Sequence, residues 1–174
     1  MAESVRLRPV TESDLEQVVR LVWDPSAPGE FQWFGFRMDR AREIERRWHE
    51  DGLIGDELSF LVVAAGEAGS EACAGWVSWR RERATTFEIG IALFPEHRGR
   101  GIGTEAQRQL VDYLFATTPV HRIQAGTETG NIAEQRALER VGFRREGVLR
   151  GAGIRAGQWR DGVMYGLVRD DWSG

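Results

Sequence analysis

The chain has 174 residues, enough for one domain with a sizeable core. Its 27 acidic and 23 basic residues are interspersed and leave a net charge of −4, which argues against a general nucleic-acid binder. One cysteine, Cys73, excludes an internal disulfide, and no apolar run is long enough to span a membrane.

The elements can be read in chain order. Residues 5–10 alternate apolar and polar like a strand. A helix follows over 11–23, with Thr11 or Ser13 as cap and Leu15, Val18, Val19 and Val22 as its apolar stripe. Residues 38–50 form a second, very polar helix, whose interleaved arginines and glutamates suit a solvated face. Residues 57–82 read as two strands around a glycine-containing turn, and the setting of Cys73 in one of them suggests an inert, buried thiol. Another strand over 85–94 ends at Pro95. A helix starts near Thr104, with Ala106, Leu110 and Leu114 at helical spacing. A strand over 121–128 precedes a helix over 131–141, capped by Asn131 and stopped by Gly142. Residues 143–150 and 158–168 close the chain as strands. This order predicts a mixed α/β sheet with helices on its faces, in a single domain over 1–174. The chain start lacks a signal-peptide pattern, so a cytoplasmic location is expected. His49, His97 and His121 are scattered without ligand spacing, so no metal is expected.

The run HRGRGIGTEA, residues 97–106, lies between a strand and a helix. A helix start offers unpaired N–H groups and the positive end of the dipole. Gly99, Gly101 and Gly103 remove side chains where an anion would meet the backbone, and Arg98 and Arg100 add positive charge. The segment therefore reads as a pyrophosphate cradle. It is not a P-loop, because no G-x-x-x-x-G-K-[ST] run exists. It fits a dinucleotide fingerprint poorly: Thr104 replaces the third glycine, and the nearest suitable acid, Glu128, lies 27 residues past Gly101 instead of the usual ~20. Arg98, Gly101 and Gly103 do match R/Q-x-x-G-x-G/A in full.

That pattern is the coenzyme-A loop of the GNAT acyltransferases, and the resemblance covers nearly the whole chain. FEIGIALFPEHRGRGIGTEA is similar to the acyl-CoA motif of that superfamily. NIAEQRALERVGFRREGVLR followed by WRDGVMYGL resembles the branch that acetylates ribosomal-protein N-termini, together with its relatives acting on small amines. The resemblance implies a central, mostly antiparallel mixed sheet of about seven strands with four helices, splayed between the fourth and fifth strands. It implies N-acetyl transfer from acetyl-CoA, without a metal, to a primary amine of a small molecule or a peptide N-terminus. A non-catalytic acyl-CoA-binding module and an enzyme with another acyl donor stay open as alternatives. The expected partners are an amine-bearing acceptor and at most a second copy of the chain, with no nucleic acid and no membrane.

The site residues follow from the same resemblance. The cradle is Arg98, Gly99, Arg100, Gly101, Ile102, Gly103 and Thr104. Backbone N–H groups of Ile91 and Leu93 correspond to those that meet the thioester, with Leu93 placed among the catalytic positions. Asn131 corresponds to a pantetheine contact and Arg136 to a contact near the nucleotide; each could instead serve only its helix. An amine has a pKa near ~10.4 and needs a base, for which Glu88 in the E-I-G segment is the candidate. The family's usual tyrosine acid is replaced by Leu138, and the serine used by some relatives by Glu134. Glu134 is thus either the acid or a solvated helix residue, since a CoA thiol can also leave unaided. The segment EFQWFGFR brings Phe31, Trp33, Phe34 and Phe36 to the region that borders the acceptor pocket in this fold, and Trp159 is a candidate wall opposite.

Overall fold

The computed structural model describes residues 4–23, 31, 41–55, 58–67 and 69–173, with backbone only at 21–23 and 41. The strands are β1 (Ser4–Arg8), β2 (Leu58–Gly66), β3 (Ala72–Arg83), β4 (Thr86–Leu93), β5 (Arg122–Glu128), β6 (Arg144–Arg155) and β7 (Gln158–Val168). The helices are α1 (Leu15–Trp23), α2 (Ala41–Asp51), α3 (Ile102–Thr117) and α4 (Ile132–Val141). They form one seven-stranded sheet in the order β1-β2-β3-β4-β5-β7-β6. Every neighbouring pair is antiparallel except β4 and β5. Sequence order and element order agree throughout, and the mixed, mostly antiparallel sheet excludes a dinucleotide-binding doubly wound fold.

Strand alternation divides the core into two layers. Leu61, Val63 and Ala65 of β2, Val77 and Trp79 of β3, and Phe87 and Ile89 of β4 face α3 and α4, where they meet Ala106, Leu110, Leu114, Leu138 and Val141. Phe60 and Val62 of β2 face the other way, against Val18 of α1 and Ile44 of α2. β2 is therefore buried on both faces, which explains its unbroken apolar run FLVVAA.

Polar contacts fix the ends of these elements. Thr11 donates its N–H to Asp14 at 2.9 Å, starting the 3-10 turn that leads into α1, so Thr11 and not Ser13 caps this segment. Two bonds from Arg8, at 2.6 and 2.8 Å, hold the Asp14 carboxyl down at about 2. The Gln109 amide of α3 accepts from Leu7 N–H and donates to Val5 O, covering the outer edge of β1. Arg169 bonds the carbonyls of Phe115, Thr118 and Val120, closing the C-terminal end of α3. Gly142 ends α4 at φ 112°, as a C-terminal glycine does. Cys73 is half-buried on β3, where burial pushes its thiol up. Among the described residues, no helix is long and apolar enough to cross a membrane.

Candidate functional site

β4 and β5 run parallel for only three paired positions, Thr86–Arg122, Phe87–Ile123 and Glu88–Gln124. Beyond Glu88 they part, and the sheet opens as the resemblance implies. Phe94 donates its N–H to Ala74 of β3 at 2.9 Å. Main-chain groups alternate sides along an antiparallel strand, so those of Ile91 and Leu93 turn away from β3, toward the opening. Their side chains point at α3, where Ile91 Cδ1 and Leu93 Cδ1 lie 3.6 and 3.4 Å from the place of a Cβ on Gly103. A Cβ on Gly103 would make ordinary van der Waals contact with both side chains.

α3 begins at Ile102, two residues before the expected start, because Gly101 and Gly103 are accommodated in its first turn. Gly99 and Gly101 have φ of 71° and 84°, and a Cβ on either would meet none of the described residues within 4 Å. Both therefore carry a left-handed backbone that suits glycine. Glu105 N–H to Gly101 O, 3.1 Å, is the first full-turn bond. The N–H groups of Ile102, Gly103 and Thr104 precede it and have no intrahelical acceptor. Ile102 also buries its side chain completely in the core, which anchors the turn. Arg98 bonds Leu93 O through Nε at 3.0 Å and Nη2 at 2.7 Å, bracing the loop against the end of β4. Arg100 is exposed on the loop, and His97 has a buried Nδ1 without a partner among the described residues.

The helix beside this loop brings in two further candidates. Asn131 accepts from Glu134 N–H at 3.3 Å, capping α4, and donates to Thr127 Oγ1 at 3.0 Å. Glu134 is not the solvated helix residue that its sequence setting allows. It is half-buried against Gln107, a fully buried residue of α3 whose Nε2 lies 3.4 Å from its carboxylate and 3.2 Å from Gly103 O. Removal from water pushes the Glu134 carboxyl up to about 7, only partly opposed by that hydrogen bond. Arg136 is exposed on α4.

Glu88 lies on the opposite sheet face from α3, bonded by Arg80 Nη2 at 2.9 Å and by Gln124 Nε2 at 3.1 Å. It lines a cavity of about 590 Å³ formed by β3, β4, β5 and the curled β6–β7 hairpin. A second chamber of about 500 Å³ adjoins it, lined by Phe31, Gly130, Trp159 and four charged residues that both cavities share: Glu128, Arg155, Arg160 and Asp161. Arg155 bonds Glu128 at 2.7 and 2.8 Å and has its guanidinium 5.1 Å from the centre of the Phe31 ring. Trp159 is 67% exposed at the mouth. Of the expected acceptor aromatics, Phe31 and Trp159 come together here, while Trp33, Phe34 and Phe36 lie outside the described residues. Tyr165 is fully buried beneath α4 and bonds Glu139 at 3.0 Å, a packing role. The sequence reading missed Arg80, Arg155 and Arg160. Arginines in strands resemble solvated surface, and only the hairpin's fold over the sheet brings them to one wall.

Comparison with known proteins agrees with this geometry. Residues 4–144 match the model of the acetyltransferase (GNAT) domain. The chain is 40% identical over 132 residues to the Bacillus subtilis protein named probable N-acetyltransferase YjcK, covering 76% of this chain and 71% of that one. It is 32% identical over 85 residues to the Escherichia coli ribosomal protein uS5 alanine N-acetyltransferase, 49% and 44% of the two chains. The crystal structure of spermidine N-acetyltransferase from Vibrio cholerae, in complex with CoA and spermine, superposes with a TM-score of 0.81 at 20% identity, covering 96% of each chain. The cradle, the parted strands and the matched sequence together identify the chain as a member of the GNAT acetyltransferase family, an acyl-CoA-dependent N-acetyltransferase.

Proposed function

We propose that this enzyme moves the acetyl group of acetyl-CoA directly to the primary amine of a soluble acceptor that enters over the face carrying Glu88. The parting of β4 and β5 beyond the Glu88–Gln124 pair carries this reading. It joins the anion cradle on the α3 side to the charged cavity on the other face. In this reading residues 1–174 form one catalytic domain acting in the cytoplasm.

Acetyl-CoA supplies the activated acyl group. The N–H groups of Ile102, Gly103 and Thr104 hold its pyrophosphate, with Gly99 and Gly101 giving the backbone room and Arg98 and Arg100 adding charge. Asn131 and Arg136 extend this contact along α4. The main-chain N–H groups of Ile91 and Leu93, turned into the opening, stabilise the negative charge that develops on the thioester oxygen. Glu88 takes the proton of the attacking amine, directly or through one water, as the new N–C bond forms. Glu134 returns a proton to the departing sulfur as the C–S bond breaks. A carboxyl near 7 is half protonated at neutral pH and can serve in this way. Phe31 and Trp159, with Trp33, Phe34 and Phe36 in the neighbouring segment, wall the acceptor.

The test measures release of CoA thiol from acetyl-CoA across polyamines, amino acids, aminoglycosides and short peptides with free N-termini. Calorimetric titration of acetyl-CoA runs alongside. Turnover with one acceptor class is the expected outcome. Tight acetyl-CoA binding with silence across every amine would defeat the reading.

A further inference from the structure

Resting on that reading, we propose that the acceptor is an amine that also bears a carboxylate, of amino-acid type, and that Arg160 recognises the carboxylate. The two chambers are lined by three arginines, Arg80, Arg155 and Arg160, and three acids, Glu88, Glu128 and Asp161. Among the described residues their charges sum to zero, which suits an acceptor that is itself neutral overall.

The pairing within the wall decides where each end of the acceptor goes. Arg80 holds Glu88 at 2.9 Å, and Arg155 holds Glu128 through two bonds of 2.7 and 2.8 Å. Asp161 accepts from Gly151 N–H at 2.8 Å. Arg160 differs from the other two arginines. Its Nη2 donates to Gln158 Oε1 at 2.8 Å, and among the described residues no carboxylate is in ion-pair contact with it, although the charge of Glu128 is near enough to act on it. Its Nε is buried and has no partner. Arg160 lines both chambers, and the terminal nitrogens of its planar guanidinium, not the buried Nε, are the donors that a carboxylate there would meet. The amine of the same molecule would then lie in the larger chamber, which Glu88 and Arg160 both line.

The same wall disfavours a polyamine. Among the described residues Glu88 and Glu128 each hold an arginine, which leaves Asp161 as the one lining carboxylate without an arginine for an acceptor with several positive charges. The likeness to a spermidine acetyltransferase, at 20% identity, is one of fold.

The experiment compares kcat/KM for matched sets of acceptors: glycine, leucine and phenylalanine, each as free acid, amide and decarboxylated amine, with spermidine added. Wild type and Arg160→Gln are assayed at saturating acetyl-CoA. Wild type is expected to prefer the acid over its amide by roughly tenfold or more. Arg160→Gln is expected to collapse that ratio through a higher KM for the acid, and Arg160→Lys to restore part of it. Turnover confined to spermidine or to amines without a carboxylate would overturn the proposal while leaving amine acetylation intact. A ratio unchanged in Arg160→Gln would overturn the role of Arg160. Silence on every amine, with acetyl-CoA still bound, would overturn this proposal together with the function it rests on.

Discussion

The Glu88 carboxylate lies 2.9 Å from the Arg80 guanidinium, at the last position where β4 and β5 are still paired. The base candidate is thereby held at the edge of the opening, with one oxygen toward Arg80 and the other toward Gln124. Glu88→Gln keeps the size and removes the basicity. We expect kcat to fall by roughly 10²–10⁴, with acetyl-CoA affinity nearly unchanged by calorimetry. A variant with wild-type kcat would remove Glu88 from the reaction.

Glu134 makes a pH prediction. Burial raises its folded-state pKa from 4.5 to about 7, so the folded chain keeps a proton that the unfolded chain has lost between those values. Stability therefore drops as pH rises through that window. Glu134→Gln escapes the loss. It should match wild type near pH 4 and unfold at higher denaturant above pH 7. If Glu134 is also the proton donor, the variant should lose the alkaline limb of the kcat profile near pH 7. An unaltered profile would leave the thiolate departing unaided.

The cradle is tested at Gly101. Its φ of 84° strains any side chain, so Gly101→Ala serves as the control for strain without charge. Gly101→Glu adds a carboxylate where the pyrophosphate is expected. Acetyl-CoA affinity should fall by roughly a hundredfold or more relative to the alanine variant. Equal affinities would show that the anion binds elsewhere.

Arg169 lies far from this chemistry and ties three carbonyls at the end of α3. Arg169→Met would strip those acceptors of their donor while keeping part of the contact with Phe115, which lies 4.9 Å below the guanidinium. Chemical denaturation should show a loss of about 3 kcal/mol.

Periodicity and caps made much of the fold legible. The apolar stripe of α3, the Asn131 cap and the Gly142 stop are local signals, and each is found where its residues predict. α3 starts two residues before its apolar spacing suggests, because Gly101, at φ 84°, caps a first turn that already contains Gly103. The cradle was legible for a similar local reason, since its glycines encode backbone angles directly. Glu134 was legible as a candidate acid but its burial was not, because that comes from Gln107 on another helix. Arg160 escaped notice because a strand arginine becomes part of a cavity only when the β6–β7 hairpin bends over the sheet.

The divergence of β4 and β5 also bears on how fast the donor can arrive. Past Glu88 no ladder between the two strands has to break for the donor to enter. If nothing else covers the gap, stopped-flow traces should give one exponential whose observed rate climbs linearly with ligand concentration; a rate that levels off would reveal an opening step before binding.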